Sequence, residues 1–276
     1  MTVFNTTRCT LGEGPLGHPE RGEWLWFDII GQRLHSASRH WDFSEMVSAA
    51  GWISRDALLI ASELRLFRFD LETGVQQTLC ALEADTAATR SNDGRADPMG
   101  GFWIGTMAKD EAKGAGAFYR YAKGELRKLW GGITVTNALC FAPDGRTAYF
   151  SDTPTHQVMR VALDAQGWPC AQPQVALDFT DKGWFPDGAV TDAAGDLWIA
   201  FWGRGCVEGY TPTGEKLATH DFPCPQTTCP AFGGAEFNRL YCTSAARGLT
   251  DGNPANGQTF ALETKINGRA EPRVLL

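Results

Sequence analysis

Apolar and polar positions along the chain fall into one arrangement that recurs six times. A cluster of turn residues precedes a short run rich in aromatic and β-branched residues, and a second turn follows. The arrangement begins as Pro19-Glu20-Arg21-Gly22 before Trp24–Asp28, and returns at Leu58–Ala61 and at Phe102–Gly105 after Gly100-Gly101. The last three copies are Thr147–Asp152 after Asp144-Gly145, Leu197–Ala200 after Gly195, and Leu240–Thr243 after Gly233-Gly234. A further strand-like segment follows most of them, as in Leu66–Asp70, Ala117–Tyr121 and Val158–Ala162. These runs are too short for helices and too rich in aromatic residues for loops, so they predict strands. Units of a few short strands, repeating at roughly 33 to 49 residues, predict a β-propeller. Six units fit. The expectation is an all-β, six-bladed β-propeller forming one domain over residues 1–276, with almost no helix. Radial packing also removes most of the exposed edges that so many strands would otherwise present; a β-sandwich is the structural alternative, and six units in register disfavour it. Ring closure is expected to draw on both chain ends, Val3–Cys9 and Arg273–Leu276.

Composition narrows the setting. Ten tryptophans and 31 glycines suit many strands joined by tight turns. A net charge of −7 lacks the basic footprint that nucleic-acid binding needs. No apolar run reaches the length of a membrane span, and the start has no basic segment leading into an apolar one, so no membrane association and no secretory signal are expected. The eight cysteines form no C-x-x-C pair or zinc-finger spacing. Free thiols in a cytoplasmic protein are the expectation, and no obligatory protein partner is indicated.

Position within the repeat singles out a group of oxygen-bearing side chains. Counting back from the turn glycine to the start of the preceding strand reaches Asn92 from Gly100, Asn137 from Gly145 and Asp187 from Gly195. One residue further back from Gly22 stands Glu13. The innermost strand of a blade lines the channel, so four residues at nearly one phase converge at one end of it. The equivalent stretches near Val47 and Cys229 are not acidic. Two carboxylates and two carboxamides cannot be brought together away from water without a positive charge between them. A hard divalent cation with oxygen ligands is the expected occupant. Calcium is the first candidate, and zinc, manganese or iron(II) are also compatible with such a site. Pro143-Asp144-Gly145, by contrast, lies at the turn itself and reads as a plain hairpin turn.

The motifs Leu11-Gly12-Glu13-Gly14-Pro15, Arg90-Ser91-Asn92-Asp93-Gly94, Thr136-Asn137-Ala138-Leu139 and Phe185-Pro186-Asp187-Gly188 resemble, in order, those of the senescence marker protein/gluconolactonase family, which includes regucalcins and bacterial sugar lactonases. The resemblance covers nearly the whole chain. It implies Glu13, Asn137 and Asp187 as metal ligands, Arg90 and Asn92 as substrate contacts, and Asp110 as an acidic substrate contact. It also implies hydrolysis of a sugar lactone to the aldonic acid by a metal-activated water, with Asp187 moving a proton. Two departures stand out: Ala138 where the family commonly has Gly, and Gly17 where it commonly has Trp. Alternative expectations are a calcium-binding regulatory propeller, hydrolysis of an aryl ester or organophosphate, and a protein-binding platform. No G-x-S-x-G elbow is present, which disfavours a serine nucleophile. The five histidines lie outside the phased positions. Only His18, close to Glu13 in sequence, is a candidate for the rim of the site.

Overall fold

Short runs rich in apolar residues, interrupted by turns that often hold a glycine with left-handed backbone, give 24 short strands and almost no helix. A computed structural model describes residues 1–276. Its strands form six four-stranded antiparallel sheets arranged as the blades of a β-propeller. The first five blades run from the inside outwards in chain order. They are β2–β5 (Gly12–His18, Glu23–Asp28, Arg33–Ser36, His40–Asp42), β6–β9 (Val47–Ser54, Ala57–Ser62, Arg65–Asp70, Gln76–Ala81), and β10–β13 (Thr89–Ala96, Phe102–Ala108, Gly116–Ala122, Glu125–Ile133). Next come β14–β17 (Thr136–Phe141, Thr147–Asp152, Gln157–Ala162, Gln174–Asp178) and β18–β21 (Phe185–Thr191, Leu197–Trp202, Cys206–Tyr210, Lys216–Asp221). The sixth blade is β22 (Thr227–Gly233), β23 (Arg239–Ser244) and β24 (Thr259–Glu263), completed by β1 (Thr2–Asn5). Each junction between neighbouring blades holds an apolar cluster. Leu25 and Phe27 meet Leu58 and Phe67 at the first junction, and Trp24 and Trp26 meet Tyr241 where the ring closes. No helix is long and apolar enough to cross a membrane.

Closure differs from the sequence expectation. Only the N-terminal end supplies a strand: Thr2 pairs with Ala261 and Val3 with Phe260. Arg273–Leu276 joins no sheet. Instead residues 264–276 run as a strap across the channel end where the inner strands finish. Asn267 O accepts from Ala193 N, Val274 N donates to Trp52 O, and Leu275 N donates to Gly100 O, each at 2.8 Å. The strap meets the channel interior through the buried Arg95–Glu271 ion pair. Arg95 also donates to Leu139 O and Ala189 O at 3.0 Å. The outer edge of β24 is taken by β1.

Every inner strand carries a one-residue bulge. Glu13 pairs with Phe27 but Leu16 with Leu25; Asn137 pairs with Ser151 but Cys140 with Tyr149; Pro186 pairs with Phe201 but Ala189 with Ile199. A bulge re-aims side chains and ends regular pairing, and it is common beside binding sites. Two bulges require left-handed backbone directly after a phased residue, at Gly14 (φ 51°) and Ala138 (φ 53°). Glycine suits such a φ, which explains the family's usual residue at 138; here a buried alanine holds the strained conformation. At Gly17 a Cβ would lie 2.8 Å from Phe232 O and 3.3 Å from the Trp24 ring, so the position has no room for a larger side chain.

Candidate functional site

The four phased residues do share one end of the channel. Glu13, Asn92, Asn137 and Asp187, on the inner strands of blades one, three, four and five, are all buried and all line one cavity of about 450 Å³. Arg90 joins them from β10. Blades two and six contribute Ser48 and Thr228 at equivalent heights. Ser48 Oγ donates to Ser91 Oγ at 2.7 Å, and Thr228 Oγ1 to Gly12 O at 2.6 Å, so both are engaged within the ring.

A chain of hydrogen bonds fixes the amides. Arg90 Nη1 donates to Asn92 Oδ1 at 2.7 Å. Asn92 Nδ2 donates to Thr136 O at 2.8 Å and to Asn137 Oδ1 at 3.1 Å. Asn137 Nδ2 donates to Thr153 Oγ1 at 2.8 Å, and Thr153 Oγ1 to Pro186 O at 2.7 Å, the residue before Asp187. The Asn137 amide is thereby locked, its oxygen accepting from Asn92 and its nitrogen donating to Thr153. Asn92 is engaged at both amide ends as well, and it lines the cavity beside Arg90. Thr153 was invisible to the phase argument: it lies past the end of β15, in a short 3-10 turn (Thr153–Thr155).

The carboxylates are in the opposite condition. Glu13 accepts one hydrogen bond, from its neighbour Gly14 N at 3.2 Å. Burial, reinforced by repulsion from Asp93, lifts the Glu13 carboxyl well above the usual carboxylate range. Asp187 is lifted in the same direction by burial and by the negative charges of Glu13 and Asp93. Asp93, one residue beyond Asn92, is itself pushed up to about 6 by burial, although Arg95 opposes the shift. Burial draws Arg90 down to about 10, and Glu13 and Asp187 offset part of that. Two buried carboxylates that repel one another, beside a pinned amide oxygen, form a donor set suited to a hard divalent cation. Glu13, Asn137 and Asp187 therefore fit the metal site that the sequence suggests, on their chemistry and placement.

The rest of the lining divides in two. Leu11, Met107, Val135, Pro154, Phe185 and Trp202 make an apolar wall, and Glu111 and Arg247 stand as a charged pair. Asp110 does not line the cavity. Its exposed carboxylate accepts from Ala112 N at 3.1 Å, and the acidic side chain that reaches the cavity is the next residue, Glu111. Glu111 has left-handed backbone (φ 62°), which turns the chain and shifts the inward-facing position by one residue. His18 is not at the rim. It is buried at the other end of β2, where its Nε2 lies 3.2 Å from Ser54 O and its ring packs against Trp52.

Residues 11–246 match the family model described as the SMP-30/Gluconolactonase/LRE-like region. The chain is 32% identical over 275 residues to the 6-deoxy-6-sulfogluconolactonase of Pseudomonas putida, covering 95% of this chain and 94% of that protein. It is 31% identical over 288 residues to the pentonolactonase of Haloferax volcanii, covering 99% and 98%. A crystal structure of a calcium-binding protein, regucalcin, from Agrobacterium tumefaciens superposes with a TM-score of 0.96 at 42% identity, covering 99% of this chain and 97% of that one.

Proposed function

The chain belongs to the SMP-30/gluconolactonase/LRE-like family, and on that premise we propose that it is a metal-dependent hydrolase that opens a sugar lactone to the aldonic acid. The observation that carries the reading is the pair of buried carboxylates, Glu13 and Asp187, which form no salt bridge and are only partly offset by Arg90, in a cavity whose other polar groups suit hydroxyls. Glu13, Asn137 and Asp187 would hold one divalent cation, with calcium the first candidate. Bound there, such an ion supplies Lewis-acid polarisation and makes a nearby water more acidic. Asp187 would accept a proton as water adds to the lactone carbonyl carbon. The acyl C–O bond then breaks, and the ring oxygen leaves as a hydroxyl after gaining a proton. Arg90 has donors beyond those bound to Ser91 O and Asn92 Oδ1, and these would hold substrate hydroxyls. Phe185 and Pro154 offer an apolar surface to the carbon face of the ring. Names of relatives such as pentonolactonase and 6-deoxy-6-sulfogluconolactonase support the substrate class.

Arg90 and the amides of Asn92 and Asn137 favour a polyhydroxylated substrate, while the apolar wall makes an aryl ester the control substrate. Turnover of a panel of aldonolactones, before and after exhaustive chelation and after adding calcium, zinc or manganese back, tests the reading. Hydrolysis that disappears with the metal and returns with it is the expected result. Full activity in the metal-free protein, or none on any lactone under any metal, defeats it.

A further inference from the structure

Thr153 ends the hydrogen-bond chain that begins at Arg90, and the direction of each bond in that chain is fixed from both ends. Arg90 only donates, so the end of the Asn92 amide that meets it is the oxygen. Thr136 O only accepts, so the other end of Asn92 is the nitrogen. The atom of Asn137 that meets this nitrogen at 3.1 Å is therefore an oxygen. At the far end, Pro186 O takes the single proton of the Thr153 hydroxyl. Thr153 Oγ1 is left as an acceptor, and it faces Asn137 Nδ2 at 2.8 Å. Arg90 with Thr136 O on one side, and Pro186 O on the other, thus impose the same orientation on the Asn137 amide.

The turn that carries Thr153 is firmly held. Thr153 is buried and lines the same cavity as Asn137. Its N donates to Val135 O at 3.0 Å. Asp152 Oδ1 accepts from Thr134 N at 3.0 Å and from Val135 N at 2.9 Å, which ties the turn to the entry of β14 just before Asn137. The turn closes on His156, whose N donates to Thr153 O at 3.1 Å and whose Nδ1 donates to Trp184 O at 2.9 Å. Pro186 is itself paired with Phe201 in the fifth blade. An amide oxygen has two acceptor positions. On Asn137 Oδ1 one is taken by Asn92 Nδ2, and the other is left for a cation. Without an acceptor for Asn137 Nδ2, this orientation would strand a buried donor, a cost the side chain can relieve by turning away.

We infer that Thr153 is a positioning residue of the cation site: it accepts from Asn137 Nδ2 and so keeps the Asn137 oxygen in place for a divalent cation. The inference rests on the reading of Glu13, Asn137 and Asp187 as ligands. Calcium binding, followed by titration calorimetry, tests it on Thr153→Val, which has nearly the same shape without the hydroxyl. Its Kd is expected to rise about tenfold, equivalent to about 1.4 kcal/mol. Thr153→Ser keeps the hydroxyl and should stay within about twofold of wild type. The same change is then made in Asn137→Asp. A carboxylate offers an oxygen at either end and has no N–H that needs an acceptor. In that background Thr153→Val should raise Kd by less than about twofold, or lower it. An equal rise in both backgrounds means that Thr153 acts through packing, through Pro186 or as a ligand itself, and overturns the inference. So does a wild-type Kd in Thr153→Val, or an Asn137→Asp protein that binds no cation. If Thr153→Val does not fold, Thr153→Ala takes its place in both backgrounds. Zinc and manganese replace calcium if wild type gives no calcium binding. A wild type that binds none of the three defeats the metal-site reading, and the inference falls with it; a wild type that binds, beside an unaffected Thr153→Val, defeats the inference alone.

Discussion

Glu13→Gln keeps the size and one oxygen of the side chain and removes its charge. In metal-free protein that charge is buried, meets a single backbone N–H and is repelled by Asp93. Its carboxyl is pushed up from an ordinary 4.5 to about 8. The native state therefore holds this proton more tightly than the unfolded chain does. The associated stability is fully present below about pH 4.5 and is lost as the pH rises towards 8. At pH 7 the group is already about 2.5 pH units past its unfolded value, which at 1.36 kcal/mol per unit is about 3 kcal/mol. Chelated Glu13→Gln should then be more stable than chelated wild type by about that amount at pH 7 to 8, or about 5–10 °C in Tm. The difference should fade towards pH 4.5. Saturating calcium should reverse the order, since it stabilises whichever protein binds it better, and the variant has lost a ligand. Thermal unfolding at pH 5, 6.5 and 8, with chelator and with calcium, checks both signs. A chelated variant no more stable than wild type at pH 8 would refute the claim that this carboxylate is uncompensated.

Asp187→Asn should lower kcat about 10²- to 10⁴-fold on every lactone by removing a proton acceptor, whereas Arg90→Ala should act mainly on KM, by roughly ten- to a hundredfold. Steady-state kinetics on several lactones separate the two; a pure kcat effect for Arg90→Ala would give it a transition-state role. Gly14→Ala places a Cβ 2.2 Å from Ser48 O with φ at 51°, and it should lose at least about 2 kcal/mol in urea unfolding together with most metal affinity. Native alkylation followed by mass spectrometry should label Cys170, the one exposed thiol, first. Cys9 and Cys140, pushed by burial up to about 12, should stay unlabelled until the protein unfolds.

The blades were legible because each repeats the same turn, and a strand's side chains alternate with a fixed period. Counting from those turns reached Glu13, Asn92, Asn137 and Asp187, and the structure brings all four to one cavity. The count worked even though every inner strand is bulged, because each bulge inserts one residue at a similar height. Loops carry no such period. Asp110 lies in such a loop, outside the cavity, and the acidic residue that lines it is Glu111, whose backbone is left-handed. Arg247 and Thr153 lie outside any strand, and nothing in their neighbours marks them. His18 shows the reverse error: close in sequence to Glu13, it is five residues along an extended strand, about 16 Å away. The strap failed as a predicted strand because sequence does not tell which end of the chain claims an open edge.

Closure by β1 sets a timetable for biosynthesis. β1 pairs only with β24, so Thr2 must wait for Ala261 to emerge. At about 5–20 residues per second that delay is some tens of seconds, during which blade six lacks its outer strand and the Trp24–Trp26–Tyr241 junction is unformed. Pairing across 259 positions also carries a large loop-closure cost before any contact rewards it, which makes the final step of folding slow. A nascent chain stalled within the sixth unit would carry five finished blades and an open ring with apolar faces on both sides of the gap. Its exposure to aggregation ends only when the oldest residues of the chain meet some of the youngest.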